Sequence, residues 1–321
     1  MADTPRDPLV IPHQAGVDGE ERGAARRAAL SPILGADEFR PLSSSVRVTV
    51  GARSHQGALR QRNEDHYLVV RVSRQQETLA TSLSGADVPL PFDESGYLMM
   101  VADGLGEAGA GSVASRVALS TIAHLALHYG KWNVRIDPAT ATSIFERAEW
   151  FYSQADSAVH TRAASSPVLK GMTTALTAAY SAGDQLFVAH VGHSRAYLFR
   201  DGKLDPLTRD HTIQRHLADT NRPAAVERRA RDLCHILTDA VGAPGGHPLV
   251  EVEQFQLMHG DVVMLCTNGL TDMIDHDRIA EVLALRREPG EQCATLVELA
   301  NRAGGGDNVT VVLAEYHIPS S

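Results

Sequence analysis

The sequence of 321 residues has little that would suit an extracellular or membrane protein. Its three cysteines, Cys234, Cys266 and Cys293, are widely spaced and form neither a CxxC pair nor a disulfide framework. The N-terminus has early acids and no apolar signal core, and the uncharged apolar stretch at 117–130 is too short to span a bilayer. These absences predict a soluble, cytoplasmic protein with no membrane partner.

Basic residues are also fewer than acidic residues. The 39 Asp and Glu residues exceed the 30 Lys and Arg residues, which gives a net charge of −9. Non-specific binding to nucleic acid needs basic patches, so we expect no nucleic-acid partner. A phosphorylated substrate stays possible, because a metal site can invert the local field. The 43% of hydrophobic residues are enough to build a sizeable core.

The first 45 residues differ from the rest of the chain. Pro, Gly, Asp and Arg cluster there, three serines follow at 43–45, and apolar periodicity is weak. Such composition predicts a flexible N-terminal leader at 1–45. We expect one domain at 46–317, and the sequence leaves its oligomeric state open.

Short strand-like runs dominate from Val46 onward, where Val46, Val48 and Val50 alternate with polar residues. The further predicted strands are at 67–72, 97–102, 174–180, 186–191, 196–199, 250–257, 262–266 and 309–316. Helical periodicity occurs at 112–129, 141–164, 279–285 and 293–302. Strands and helices do not alternate as βαβ units, so the pattern predicts an α+β fold, with mainly antiparallel sheets covered by helices.

Carboxylate or amide side chains lie at the ends of four predicted strands. The four places are residues 63–65, Asp103 with Gly104, Asn268 with Gly269, and Asp307 with Asn308. Hard oxygen ligands beside Gly-rich turns are what Mg²⁺ and Mn²⁺ sites require. Taken singly, each acid next to a glycine is more often an ordinary turn residue.

Seven short segments carry these residues in a fixed order. They are RQRNED at 60–65, VADGLG at 101–106, GMTTA at 171–175, AHVGHSRAYL at 189–198, LTRDHT at 207–212, GDVVMLCTNGL at 260–270 and DNVTVV at 307–312. Together, over roughly residues 46–316, they resemble the metal-dependent protein phosphatases of type 2C (the PPM family), in their bacterial form.

The resemblance implies two packed antiparallel sheets flanked by helices. It also implies a centre of two Mn²⁺ or Mg²⁺ ions that activates water to hydrolyse phosphoserine and phosphothreonine. By motif position, Asp103 would bridge the two ions. Glu64 and the carbonyl of Gly104 would hold one ion, and Asp307 would help to hold the other.

Two further roles follow from the resemblance. Asp65 would orient the water, and Arg60 would bind the substrate phosphate, for which a planar guanidinium is better shaped than an ammonium. The substrate would be a phosphorylated protein, and family habit suggests a Ser/Thr kinase as a partner.

Four positions depart from the family pattern. Asn268 and His193 stand where the family has Asp, and Glu107 and Met172 stand where it has Gly. Asn268 is neutral, so we expect weaker metal binding on the Asp307 side. In the family, positions 193 and 268 hold an additional, weakly bound ion, so we predict that this third metal site is absent.

Two hypotheses remain at this point. The intact acids and Arg60 favour a phosphatase, with Asn268 and His193 as the reason why its activity would be impaired. The changes at positions 107, 193 and 268 favour the alternative, a pseudophosphatase that acts as a regulatory or phosphoprotein-binding module. The residues alone favour retained activity.

Overall fold

The computed structural model describes residues 45–83, 92–130, 136, 138–219 and 236–319. All but the last residue of the predicted leader at 1–45 lies outside these ranges. The strands, in chain order, are β1 (Arg47–His55), β2 (His66–Gln76), β3 (Phe92–Leu105), β4 (Thr173–Ala182), β5 (Gln185–Val191), β6 (Arg195–Arg200), β7 (Lys203–Pro206), β8 (Glu251–Gln256), β9 (Val262–Cys266) and β10 (Val309–His317).

Two antiparallel sheets are built from these strands. Sheet A has the order β1-β10-β9-β6-β7, and sheet B has the order β2-β3-β4-β5-β8. The helices of the described residues are α1 (Ala110–Tyr129), α2 (Pro138–Ala164), α3 (Ile213–Asp219), α4 (Asn268–Thr271), α5 (His276–Ala284) and α6 (Pro289–Arg302).

The alternation of side chains along each strand divides the core into layers. In β3, Met99 and Val101 pack between the two sheets, whereas Met100 and Ala102 face α1 and α2. On the far side, α5 and α6 cover sheet A, with Leu296 of α6 in that outer core. The result is a four-layer sandwich with helices outside two sheets, which confirms the predicted α+β class.

Helix α1 is apolar enough to need an explanation. With the turn before it, the segment Glu107–Tyr129 is long and apolar enough to cross a membrane by length and composition alone. Ala114, Ala118 and Ile122, at helical spacing, are buried in the core beside sheet B. We therefore interpret α1 as a core helix.

The structure corrects two expectations from the sequence. Strand β7 was not predicted, because its residues carry no apolar alternation and it forms by pairing with β6. Asp103 and Gly104 were expected to follow a strand, but β3 continues to Leu105 because these residues pair with Ala175 and Thr174 of β4. The Asp103 backbone is therefore fixed by the sheet and not by a turn.

Candidate metal centre

The predicted ligands gather at one end of the sandwich. In sheet B, His66 at the start of β2 pairs with Ala102 near the end of β3, so residues 64–65 and 103–104 share that end. In sheet A, the end of β9 pairs with the start of β10, so Asn268 and Asp307 also lie together. Hydrogen bonds from Thr267 and Thr310, at the sheet A end, to Asp65 join the two groups.

Asp103 lies at the centre of this acidic group. Burial raises its pKa to about 8, with a further upward contribution from Asp307, an opposing one from Arg60, and smaller upward ones from Asp272 and Glu64. Carboxylates that raise one another's pKa form an environment that a divalent cation would stabilise. Asp272 was not singled out from the sequence.

Asp65 is held so that only one of its oxygens is used. Its Oδ2 accepts hydrogen bonds from Thr267 Oγ1 and Thr310 Oγ1, both at 2.8 Å. Its Oδ1 is buried and has no hydrogen-bond partner among the described residues. Burial, together with the charge of Asp103, raises the pKa of Asp65 well above its ordinary value. A buried oxygen without a donor fits a neighbouring water or ion.

Asn308 ties the loop before β2 to the start of β10. Its Nδ2 donates to the carbonyls of Gln56 and Arg62 at 2.8 Å, and its Oδ1 accepts from the Glu64 amide at 2.8 Å. In the sequence, Asn308 stands out only as the neighbour of Asp307. It is nevertheless the residue that positions the backbone of Glu64.

Two glycines allow Glu64 and Gly104 to approach each other closely. A Cβ atom on Gly104 would lie 2.1 Å from the Gly111 carbonyl oxygen and 2.8 Å from that of Glu64. A Cβ atom on Gly111 would lie 2.3 Å from Glu64 Oε2. No side chain fits in this space, so the Glu64 carboxylate and the Gly104 backbone share it. Burial also raises the pKa of Glu64.

Arg60 lies at the open side of the group. Its Nη2 donates to Asp307 Oδ2 at 2.8 Å, and its side chain is 57% exposed. This hydrogen bond raises the pKa of the guanidinium above its ordinary value. An exposed ion pair contributes little to stability, so Arg60 can exchange its carboxylate partner for a phosphate at small cost.

The two substituted acidic positions are both part of the group. Asn268 Nδ2 donates to Asp272 Oδ2 at 3.0 Å. Asn268 Oδ1 is buried and accepts no hydrogen bond from the described part of the chain. His193 is 4% exposed, and its Nδ1 lies 3.7 Å from Asp103 Oδ2.

Glu107 is exposed in the turn before α1. Arg62 Nη1 donates to the carbonyl of the next residue, Ala108, at 3.0 Å. The basic side chain of Arg62 therefore contacts the backbone of the turn that carries Glu107.

The donors suit Mg²⁺ or Mn²⁺. They are carboxylates, a backbone carbonyl and an amide oxygen, and two of the buried oxygens have no donor. Across the described ranges, no three His, Cys, Asp or Glu side chains lie close enough to enclose an ion as they stand. The residues present fit such ions in kind and position, with small side-chain movements needed to close around them.

Comparison with known proteins decides the family. The sequence profile described as Protein phosphatase 2C matches residues 91–300. The chain belongs to the protein phosphatase 2C family. Among curated relatives, the serine/threonine protein phosphatase PstP of Mycobacterium tuberculosis is 33% identical over 218 residues, which are 68% of this chain and 40% of PstP. The serine/threonine phosphatase stp of Listeria innocua is 31% identical over 223 residues, 69% of this chain and 85% of stp.

Solved structures of protein phosphatase 2C relatives agree with the fold. The crystal structure of Mycobacterium tuberculosis PstP has a TM-score of 0.64 at 30% identity, and the match covers 84% of this chain and 98% of that one. A structure of the PstP catalytic domain in complex with two manganese ions has a TM-score of 0.64 at 29% identity, covering 85% and 99%. The sequence resemblance and its implied fold are confirmed.

Proposed function

We propose that this chain is a metal-dependent protein phosphatase that hydrolyses phosphoserine and phosphothreonine in phosphorylated proteins. The observation that carries the proposal is the convergence of Glu64, Asp103 and Asp307 on one space beside Arg60. The phosphatase names of the relatives support the reaction, and the two manganese ions of the PstP complex support the cofactor.

In this proposal, two Mn²⁺ or Mg²⁺ ions would be held by Asp103, Glu64, the Gly104 carbonyl and Asp307. When bound, such a pair lowers the pKa of water and neutralises charge on the phosphoryl oxygens. Asp103, whose pKa is raised by three neighbouring carboxylates, would contact both ions. We also keep the expectation that no third ion is bound.

The remaining residues position the reactants. Thr267 and Thr310 fix Asp65 through Oδ2, so that Oδ1 would accept a hydrogen bond from the water and orient it. Arg60 would leave Asp307 and form a forked pair of hydrogen bonds with the substrate phosphate. An exposed arginine at the open side suits a large substrate such as a protein.

The changes at Asn268 and His193 leave a pseudophosphatase as the second candidate. Asn268 removes one negative charge from a site that must bind two divalent cations, which would weaken metal binding. The phosphatase names of the relatives favour the enzyme. A Ser/Thr kinase partner and a cytoplasmic location stay predictions.

The deciding experiment measures phosphate release from a phosphothreonine peptide by the full chain. We expect release with Mn²⁺ or Mg²⁺ and none with EDTA. Asp103→Asn should lower the rate by on the order of 100-fold or more, because it removes the shared ligand. Asp205→Asn, which alters an exposed acid on β7, is the matched control and should leave the rate unchanged.

Two outcomes would count against the proposal. The absence of metal-dependent release in the wild type would contradict it. Release that occurs only after Asn268→Asp would establish the pseudophosphatase instead.

A further inference from the structure

We propose that His193 is a nitrogen ligand of one of the two ions at Asp103, the one on the sheet A side, so that this metal centre has a mixed nitrogen and oxygen donor set. The assignment presupposes the metal-dependent activity proposed above and names a further ligand for the same centre. Its support comes from strand register, from two interatomic contacts and from the rigidity of one loop.

Strand register places His193 and Asn268 at the same end of sheet A. In the antiparallel pair of β6 and β9, Arg195 pairs with Cys266 and Ala196 with Leu265. His193 comes two residues before this pairing begins in β6, and Asn268 comes two residues after it ends in β9. Both substituted positions therefore lie at the end of sheet A that faces Asp103.

His193 and Asp103 are close enough to reach one ion after a small side-chain movement. His193 Nδ1 and Asp103 Oδ2 are 3.7 Å apart, which is too long for a hydrogen bond. Two adjacent donors that each lie about 2.1 Å from an octahedral ion are separated by about 3.0 Å, so the two atoms would have to approach each other by less than about 1 Å. The two side chains are 5% and 14% exposed, so the space between them is shielded from bulk water.

Asn268 offers a further oxygen at the same end of sheet A. Its Nδ2 is committed to Asp272, so its Oδ1 faces the other way. This oxygen belongs to a residue that is 5% exposed, and no hydrogen-bond donor reaches it from the described residues. A neutral amide oxygen is a weak ligand by itself, and an imidazole nitrogen nearby would compensate for it.

The loop that carries His193 is rigid. The Gly192 carbonyl accepts from the His211 amide at 2.7 Å. Gly192 has φ of +105°, and a Cβ atom there would lie 2.4 Å from Ala175 Cβ, so the loop is pressed against β4. A ligand on such a support loses little conformational entropy when it binds an ion.

A nitrogen ligand changes the choice of metal. Mg²⁺ strongly prefers oxygen ligands, whereas imidazole suits transition metals. We therefore expect the ion at Asp103 to be Mn²⁺ in preference to Mg²⁺, by a wider margin than an all-oxygen site would give.

The primary test is pulsed electron paramagnetic resonance on the full chain with two equivalents of Mn²⁺, so that the weaker site on the Asn268 side is filled as well. We expect ¹⁴N modulation from one directly bound imidazole. The modulation should vanish in His193→Gln. It should persist in the matched control His66→Gln, because His66 lies near the same strand ends but its Nδ1 is 2.9 Å from Ser115 Oγ.

A second measurement uses calorimetry and a variant that keeps a ligand. His193→Gln should weaken Mn²⁺ binding about tenfold. His193→Asp should bind metal but favour Mg²⁺ relative to the wild type, since it replaces nitrogen by oxygen. Circular dichroism of each variant would show that the fold is kept.

The failures of this inference and of the proposed function can be told apart. Mn²⁺ binding and phosphate release without ¹⁴N modulation in the wild type would overturn the role of His193 and leave the phosphatase standing. Modulation that survives in His193→Gln would also overturn it. A wild-type chain that binds no Mn²⁺ in calorimetry would overturn both.

Discussion

The two sides of the metal centre are built on different principles. On the sheet B side, Glu64 and the Gly104 carbonyl meet in a space that two glycines keep free of side chains, and Asn308 fixes the Glu64 backbone. On the sheet A side, Asn268 contributes a neutral oxygen, and the Asp307 carboxylate is paired with Arg60. The first side has a charged carboxylate whose position is fixed by close packing. The second side has one negative charge fewer, because Asn268 is neutral. We infer that the two ions would bind with unequal affinity, the weaker one on the sheet A side.

The largest effect should come from filling the glycine space on the sheet B side. Gly104→Ala would place a methyl group 2.1 Å from a backbone oxygen, a clash that no rotamer change relieves. We expect the free energy of unfolding to fall by more than about 3 kcal/mol and metal-dependent turnover to be lost. Urea denaturation and phosphate release measure the two effects.

The control for this variant is Gly290→Ala in α6. A Cβ atom at Gly290 meets no heavy atom within 4 Å. This variant should be as stable as the wild type or slightly more stable, since alanine favours a helix over glycine. If Gly104→Ala behaved in the same way, the close approach of β3, α1 and Glu64 would be wrong.

The next largest effect should come from restoring charge on the sheet A side. Asn268→Asp adds a carboxylate beside Asp103 and Asp307, so the weaker ion should bind about tenfold more tightly and turnover should rise. Calorimetry with Mn²⁺ and Mg²⁺ measures the affinities. Gln254→Glu, which adds the same charge on the exposed part of β8, should change neither. Equal affinities for both ions in the wild type would remove the difference between the two sides.

A feature of this site can be predicted from the sequence when the residues that form it are close together along the chain. The strands were predictable because alternation and apolar runs are local, and the acids could be placed at strand ends. The fixing of Asp65 was not predictable, because Thr267 and Thr310 lie 202 and 245 residues away along the chain. Strand β7 was missed for a similar reason, since pairing with β6 creates it. The one sequence feature that could have pointed to Thr267 as part of the site is its position next to Asn268.

Asp103 lies between the two sides. Its protonation tests how strongly burial and the neighbouring carboxylates raise its pKa. Its pKa rises from 3.8 to about 8 in the folded protein without metal, so between these values the folded state binds more protons than the unfolded state. The free energy of unfolding should therefore fall as pH rises through this window. His190 acts in the opposite sense only below pH 6.5, since burial lowers its pKa to about 3.

The pH range in which Asp103 acts without an opposing contribution from His190 is therefore 6.5 to about 8. In EDTA, urea midpoints of the wild type should decrease across it, and those of Asp103→Asn should decrease less, because Asp65, whose pKa is also raised by burial, still titrates. Saturating Mn²⁺ should abolish the decrease, because metal binding requires the deprotonated carboxylates. Midpoints that rise with pH in EDTA would show that the carboxylates do not crowd Asp103.

The smallest effect should come from Glu107, which lies outside both sides of the centre. Its side chain is exposed to solvent, so its charge should repel a phosphopeptide only weakly. We expect Glu107→Gln to raise kcat/KM about twofold at low salt through KM, with kcat unchanged, and the gain should disappear at high ionic strength. Glu291→Gln, an exposed acid in the first turn of α6, should show no change at either salt concentration. A gain in kcat that persists in high salt would instead mean that Glu107 acts on the metal centre itself, through the turn that joins β3 to α1.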